Sequence, residues 1–309
     1  MYHQNTPPIT LHQLHAILAS PRDSQGLREL NLNEQDLQTL PEGIRRLPGL
    51  QTLSLYHNQL TTLPASLWAL TALHTLNLAE NRFTHISEKI GRLGALHMLD
   101  LGHNALTHLP HNLGRLADLR YLYLSDNQLT DLPASLQNLT SLKYLNFSAN
   151  RLTQLPGWIG SLEALVEIRL DNNALTHLPE SIGNLTALRA LTAASNRLET
   201  LPSSLGKLSG LGKLNLQDNQ LSELPEGILA LARLTHLDLR FNHLACLPQD
   251  MGLLKALRFL DLRANRLETL PESLSQIPHL EILDLRWNRF RQLPPWLERI
   301  ERRGCIIHA

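Results

Sequence analysis

Leucines recur along this chain at a fixed spacing, and the stretch from Leu119 to Ser141 shows one full period, LRYLYLSDNQLTDLPASLQNLTS. Stepping by 23 residues in either direction finds a leucine at the start of each further copy, without an insertion or a deletion. A fixed period of this length indicates repeats that stack on one another. The twelve copies begin at Leu27, Leu50, Leu73, Leu96, Leu119, Leu142, Leu165, Leu188, Leu211, Leu234, Leu257 and Leu280.

The first half of each copy has the pattern of a short strand. Leu122 and Leu124 alternate with Tyr121 and Tyr123, which is the period of two expected when one face of a strand is buried. The strand is followed by Asn127, whose amide can donate to and accept from backbone groups that have lost their ladder partners. Eleven copies carry Asn at this position, and the first copy carries Gln35 instead.

The second half of each copy has the pattern of a tight helical turn. Pro133 biases Leu132 toward an extended backbone and suits the first position of a short helical turn. Leu136 and Leu139 stand three residues apart, so both can point inward from one helical or 3-10 turn. Seven apolar positions per copy therefore converge on one axis.

The motif L-x-x-L-x-L-x-x-N-x-L at this period is the signature of a leucine-rich repeat. We predict an α/β fold, a leucine-rich repeat solenoid or horseshoe with a parallel concave sheet and a convex side of short 3-10 or helical turns. Residues 27–295 are predicted to form the twelve repeats, residues 1–26 an N-terminal helical cap, and residues 296–309 a C-terminal cap and tail.

Both caps are predicted from apolar stripes at helical spacing. At the N-terminus a helix capped by Thr10 and ended by Pro21 has the apolar stripe Leu11, Leu14, Ile17 and Leu18. At the C-terminus a helical stretch from Pro294-Pro295 to about Arg303 has the apolar side Trp296, Leu297 and Ile300.

Two copies depart from the pattern. Phe83 and Ile86-Ser87 stand where other copies have Leu and Leu-Pro, and Ala193 stands at a core leucine position. These changes predict slight local distortion or looser packing, or they are ordinary drift that neighbouring copies tolerate.

Charge and cysteine content narrow the class of partner and the compartment. The 28 basic and 28 acidic residues balance, so no global charge draws the chain to nucleic acid or to an anionic membrane. No run of 18 apolar residues and no signal-peptide pattern occurs, and Cys246 and Cys305 are the only cysteines. We therefore expect a cytoplasmic protein in a reducing compartment, most simply a monomer.

The outward strand positions hold two groups of candidate partner-binding residues on the concave face. The first is aromatic and apolar, and exposed tyrosines are enriched in binding hot spots; it consists of Tyr56, Met98, Tyr121, Tyr123 and Tyr144. The second surrounds a triple Asp-Leu-Arg repeat; it consists of Arg240, Phe241, Phe259, Arg263, Arg286 and Trp287. Each group also has an interpretation that needs no partner. The first would consist of cross-strand pairs that merely cover the sheet, and the second of a lattice in which Asp and Arg neutralise one another.

A third feature is a column in which acid and imidazole alternate one repeat apart: Glu34, His57, Glu80, His103 and Asp126. Histidine with carboxylate is acceptable zinc chemistry, but an exposed ladder does not converge on one point. We predict no metal and no cofactor, and a solvated polar edge or a pH-sensitive interface stays open.

Enzyme motifs are missing from the sequence. Neither H-E-x-x-H nor G-x-S-x-G occurs, and the glycines of residues 206–214 miss the spacing of a phosphate-binding loop by one residue. No catalytic residue is predicted.

The repeats LxxLxLxxNxLxxLPxxLgxL over about residues 27–295 resemble those of Ras-group leucine-rich repeat proteins, namely Ras scaffold and suppressor proteins, plant Ras-group proteins and bacterial leucine-rich repeat proteins. The resemblance implies a non-enzymatic scaffold that binds a protein partner, for instance a small GTPase or a host protein. It also leaves open the substrate-recognition arm of a secreted bacterial effector or ubiquitin ligase, acting inside a host cell.

Overall fold

A computed structural model of the chain describes residues 7–20 and 26–309. The described residues group into two compact units, one ending at Arg151 (unit 1) and one beginning at Leu152 (unit 2). Each unit repeats one local plan: a three-residue strand, a turn, an extended segment and a 3-10 helix.

Each strand is three residues long, because only three residues of each copy pair with the strands of neighbouring copies. They run parallel and follow one another in chain order within each unit. Unit 1 contains β1 (Glu29–Asn31), β2 (Thr52–Ser54), β3 (Thr75–Asn77), β4 (Met98–Asp100), β5 (Tyr121–Tyr123) and β6 (Tyr144–Asn146). Unit 2 contains β7 (Glu167–Arg169), β8 (Ala190–Thr192), β9 (Lys213–Asn215), β10 (His236–Asp238), β11 (Phe259–Asp261), β12 (Ile282–Asp284) and β13 (Ile306–His308).

Nine of the eleven 3-10 helices in the described part of the chain follow a proline N-cap, so they start one residue later than the proline pattern predicts. Pro133, for example, is the N-cap and not the first helical residue: its ψ is 138°, and its carbonyl accepts from the N–H of Leu136 at 3.1 Å. The helices of unit 1 are Glu42–Arg46, Ala65–Ala69, Glu88–Arg92, His111–Arg115 and Ala134–Asn138. Those of unit 2 are Gly157–Ser161, Glu180–Asn184, Ser203–Lys207, Glu226–Ala230, Met251–Leu253 and Glu272–Gln276.

The core consists of the leucine positions that the repeat predicts. Leu122, Leu124, Leu136 and Leu139 are all buried. The departures are buried too, since Phe83, Ile86 and Ala193 fill their positions. Ser87 replaces the missing proline as an N-cap whose hydroxyl accepts from the N–H of Lys89.

The helix at the N-terminus, α1 (Leu11–Ala19), has the predicted cap. Thr10 and Gln13 form a capping box, in which each side chain accepts from the other residue's backbone N–H. Leu14 and Leu18 are buried, and Leu18 accepts from Arg46 through its carbonyl at 2.8 Å. The predicted end at Pro21 lies outside the described residues.

The C-terminal segment differs from the predicted cap and tail in two respects. Helix α2 (Leu297–Glu301) is shorter than the predicted stretch to Arg303, although its predicted apolar residues Trp296, Leu297 and Ile300 are buried. The chain then turns at Gly304, whose φ of 97° suits glycine, and forms β13 beside β12. The tail is therefore a strand of unit 2.

The Asn position joins each copy to the copy before it. The Nδ2 group of Asn150 donates to the carbonyls of Leu124, Phe147 and Ser148, and its Oδ1 accepts from the N–H of Leu129. The same pattern recurs at Asn58, Asn81, Asn127, Asn196, Asn219, Asn242 and Asn265. Gln35 of the first copy donates to carbonyls of its own turn.

The residue immediately before the Asn position adopts a left-handed backbone in all twelve copies. Its φ lies between 52° and 62°, although none of these residues is glycine. The conformation lets the turn continue the ladder: in one copy the N–H of Asp126 donates to Ser148, and that of Asn127 donates to Ala149. The residues are Glu34, His57, Glu80, His103, Asp126, Ala149, Asn172, Ser195, Asp218, Phe241, Ala264 and Trp287, which we call the left-handed column.

Replacing Asn150 by Ala should lower the free energy of unfolding, because four backbone groups lose their partner. The expected cost is about 1 to 3 kcal/mol for each group left unpaired in the interior. Urea denaturation measures this, and Asn138→Ala, the same substitution at an exposed site of the preceding repeat, is the control. Equal midpoints for the two variants would contradict the role of the Asn position.

Replacing Ala149 should show the cost of the left-handed backbone. Ala149→Val should destabilise by roughly 1 to 3 kcal/mol, because a β-branched side chain is strained at a φ of 54°. Ala149→Gly should be neutral or stabilise by up to about 1 kcal/mol. Ala134→Val, at an exposed position with ordinary φ, is the control for β-branching, and thermal or urea unfolding distinguishes the three.

Candidate functional site

The outward strand residues form an exposed face in each unit, and we describe the two faces separately. In unit 1 this face holds the predicted tyrosine group. Tyr121 is 37% exposed, and the rings of Tyr123 and Tyr144 meet at 4.8 Å between centroids. The predicted exposure of Met98 is not found: it is only 4% exposed, and its strand neighbours in the register are Thr75 and Tyr121.

Tyr56, the remaining member of that group, is tied to the acid and imidazole column. Its hydroxyl donates to Oε1 of Glu80 at 2.8 Å, and Nδ1 of His57 lies 2.6 Å from Oε2. The tyrosine hydroxyl and then the imidazole lower the pKa of Glu80. Nε2 of His103 lies 3.5 Å from Oδ2 of Asp126. In the described part of the chain, no group of three or more His, Cys, Asp or Glu side chains is placed to hold a metal.

In unit 2 the three Asp-Leu-Arg segments form a ladder of ion pairs. Arg263 contacts Asp261 through Nη2 at 2.6 Å and Asp284 of the next strand through Nε at 3.2 Å. Arg286 contacts Asp284 at 2.6 Å, and Arg240 contacts Asp238 at 3.3 Å. The guanidinium groups cross-link the carboxylates along and between strands, so stacked like charges are neutralised.

The pKa values of the aspartates at the two ends of this ladder shift in opposite directions. Desolvation raises the pKa of Asp238 above its usual value. At Asp284, whose side chain is only 7% exposed, burial also acts to raise the pKa. There the hydrogen bonds from Arg286 and the charge of Arg263 outweigh it, so the pKa of Asp284 is lowered. The ionised form of Asp284 therefore stabilises the folded chain.

A cleft of about 620 Å³ lies on the exposed face of unit 2, beside this ladder. Its apolar part is built from equivalent positions of successive strands, His236, Phe259 and Ile282, and Lys213 follows at the same position of β9. The rings of His236 and Phe259 stack at 4.3 Å between centroids. Burial, with help from Lys213 and Arg258, lowers the pKa of His236, so the imidazole is neutral at neutral pH.

The left-handed column gives this face an aromatic rim. Phe241 and Trp287 are 47% and 66% exposed, and their ring centroids approach to 6.4 Å although they are two repeats apart. Only the small Ala264 stands between them in the column. Arg286 lies over the Trp287 ring at 5.7 Å from its centroid. We call Phe241, Ala264 and Trp287 the aromatic rim.

Sequence reasoning placed the predicted residues of the second group together but missed part of their setting. Arg240, Arg263 and Arg286 belong to the ladder of ion pairs. Phe259 lines the cleft, and Phe241 and Trp287 form the aromatic rim. His236 and Lys213 were not predicted. Aligning the first strand residue of each copy would have placed both in line with Phe259 and Ile282.

The two cysteines differ in environment. Cys246 is exposed, whereas Cys305 is buried before β13, and burial raises the pKa of its thiol to about 11. Among the described residues, no helix is long and apolar enough to cross a membrane.

Comparisons with known proteins agree with the predicted fold class. Family models described as "Leucine rich repeat" match residues 25–83, 71–129, 186–244 and 232–290, and one described as "Leucine-rich repeat region" matches residues 107–214. A search of curated protein sequences found no match. The parallel strands and short 3-10 helices are those of leucine-rich repeat structures, which confirms the predicted fold class.

Three solved structures illustrate this similarity. A leucine-rich repeat protein of Leptospira interrogans is 27% identical, with a TM-score of 0.68 over 98% of this chain and 100% of the other. A TDR receptor is 28% identical, with a TM-score of 0.82 over 91% of this chain and 51% of the receptor. The Arabidopsis receptor kinase HAESA, in complex with the peptide hormone IDA and the co-receptor SERK1, is 27% identical, with a TM-score of 0.62 over 92% and 56%.

Acid should destabilise unit 2 partly through Asp284. Because the folded pKa of Asp284 lies below its usual value of 3.8, its contribution is present above that pH and is lost as the pH falls through the folded pKa. Asp284→Asn should be less stable at pH 7 and should lose less further stability between about pH 5 and pH 2. Urea denaturation across this range measures it.

The control is Glu281→Gln, which removes a more exposed carboxylate that pairs with Arg258 immediately before β12. Asp238 does not imitate the effect, because a raised pKa gives the opposite dependence on pH. Parallel pH profiles for wild type and Asp284→Asn would show that the lowered pKa does not contribute to stability.

Proposed function

Since the chain belongs to the leucine-rich repeat family, we propose that it is a non-enzymatic scaffold that binds a protein partner on its exposed strand residues. The observation that carries the proposal is the combination in unit 2 of a cleft, a ladder of arginines and an exposed aromatic rim. Trp, Tyr and Arg are the residues most enriched in binding hot spots. Trp287 and Phe241 form an exposed aromatic pair beside the cleft, and a contiguous exposed apolar patch is typical of an interaction site.

The proposed binding residues form one set in each unit. Tyr121, Tyr123, Tyr144 and Tyr56 serve in unit 1, and the buried Met98 is the strand neighbour of Tyr121. Arg240, Phe241, Phe259, Arg263, Arg286 and Trp287 serve in unit 2. The complex of the similar receptor HAESA with a peptide hormone and a co-receptor supports binding of a peptide or protein.

The resemblance of the repeats to Ras-group repeats points to a small GTPase as one such partner, and the cysteine content favours the cytoplasm as the place of action. The second candidate function is the recognition arm of a secreted bacterial effector or ubiquitin ligase. Similarity to a Leptospira protein over nearly the whole chain favours this candidate. Both candidates use the same residues, so one set of variants tests the binding face for both.

Trp287→Ala should weaken binding of the native partner at least about tenfold, as expected for a hot-spot tryptophan. Partners captured from a lysate of the source cell on immobilised wild type are identified by mass spectrometry, and their affinities for each variant are then measured with purified proteins. Tyr121→Ala makes the same test for unit 1.

Trp158→Ala is the matched control, since Trp158 belongs to a 3-10 helix of unit 2 and is half-buried away from the strands. Its affinity should equal that of wild type. If Trp287→Ala and Tyr121→Ala bind the partner as well as Trp158→Ala does, the strand face is not the binding surface and the proposal is wrong.

A further inference from the structure

We propose that the strand face of unit 2 recognises an extended segment of the partner protein that carries apolar side chains along one side and carboxylates along the other. This inference rests on the proposed function and names the chemistry of the partner. It follows from three parallel columns of side chains: the first and third residues of β10, β11 and β12, and the arginine two residues after each strand.

The first column is apolar. His236, Phe259 and Ile282 stand directly beside one another in the strand register, and all three line the cleft. The stack of His236 on Phe259 adds a flat surface, and the lowered pKa of His236 keeps that surface uncharged at neutral pH. An apolar side chain of a partner is therefore the group that this side of the face can desolvate at least cost.

The middle column consists of Asp238, Asp261 and Asp284, and its carboxylates are already engaged. Each Oδ1 accepts from the backbone N–H of the arginine two residues later. Each Oδ2 lies within 3.3 Å of a guanidinium nitrogen. The carboxylates are therefore compensated from within the chain, and they do not need a cation from a partner.

The third column is cationic. Arg286 uses Nε and Nη2 on Asp284, and its side chain is still 40% exposed. Arg266 and Arg289 follow on the adjoining turns, both exposed, and neither makes an ion pair within residues 26–309 as the structure describes them. The exposed carboxylate of Glu268 offsets one of these charges. An excess of positive charge remains beside the aromatic rim.

The spacing of the columns matches an extended chain. The apolar and arginine columns are four residues apart in the sequence of each copy, or roughly 13 Å for an extended backbone. A segment lying across the strands over the aspartates would send successive side chains alternately to the two columns, because side chains of an extended chain point to opposite sides. Alternating apolar and acidic residues satisfy both columns at once.

The same columns argue against a nucleic acid. Phosphates placed over the arginines would lie directly beside the aspartate column and an apolar surface, and the whole chain has no net charge to attract a polyanion. A peptide carboxylate at every second residue has a lower charge density and brings its own apolar partner for the cleft.

The probe is a blocked peptide of about twelve residues that alternates Leu and Glu, with a fluorophore, an acetylated N-terminus and an amidated C-terminus. Its affinity for the full chain is measured by fluorescence anisotropy at low and high salt. One comparison peptide carries Lys in place of Glu, and another has the same composition in two blocks. We expect the alternating Glu peptide to bind at least tenfold more tightly than either, with affinity that falls as salt rises.

Two variants test the columns separately. Arg266→Glu combined with Arg289→Glu should weaken binding of the Glu peptide at least tenfold, and it touches no ion pair of the ladder. Ile282→Asp should also weaken binding of the Glu peptide at least tenfold, because it places a carboxylate in the apolar column. Far-UV circular dichroism checks that this variant folds. The matched control is Arg197→Glu, which reverses an exposed arginine at the equivalent repeat position of unit 2, away from the cleft.

Three results would overturn the inference: equal binding of the Glu and Lys peptides, equal loss with Arg197→Glu, or tighter binding of single-stranded oligothymidylate than of the Glu peptide. If the peptides fail while Trp287→Ala still loses the captured partner, the proposed function stands and the alternating chemistry is wrong. If Trp287→Ala and Tyr121→Ala both retain that partner and the peptides also fail, the strand faces bind neither and both proposals fall.

Discussion

The backbone groups at the end of each three-residue strand set the constraint on which the rest of the structure depends. The chain must leave the strand there while its N–H and carbonyl groups are still surrounded by neighbouring copies and have little access to water. A left-handed residue continues the ladder for one further step. The side chain of the Asn after it then hydrogen-bonds to the backbone groups that still lack a partner. Because both devices act between copies, each copy depends on its neighbour for satisfied backbone groups as well as for a covered core.

That constraint also positions the candidate site. The left-handed backbone places the side chain before the Asn at the rim of the strand face, whatever residue stands there. In unit 1 the column carries Glu80 and His57, which pair with each other, and in unit 2 it carries Phe241 and Trp287. At the rim the rings of Phe241 and Trp287 approach each other across the small Ala264, and the core leucines stay buried.

The sequence was sufficient for the elements whose pattern is periodic. The strands, the inward leucines and the Asn position follow from spacing alone, since each must recur for the copies to stack. The left-handed column was not visible, because glutamate, histidine, phenylalanine and tryptophan do not mark a positive φ as glycine does. β13 was missed for a related reason: Ile306 and Ile307 follow a helix outside the repeat period, so their pairing with β12 has no periodic signal.

The site was less predictable than the fold because it depends on side-chain direction and pairing. Sequence position puts Met98 and Tyr121 on the same face, yet only the tyrosine is exposed. In the sequence, Arg263 looks like a cation that is available to a partner, but in the structure it forms ion pairs with Asp261 and Asp284. The charge available to a partner is therefore set by arginines outside the ladder, at turn positions such as Arg289 that no core requirement fixes. Since the leucines, the Asn and the left-handed backbone carry the fold, those turn positions can change with little cost in stability, and recognition can change while the repeat architecture stays the same.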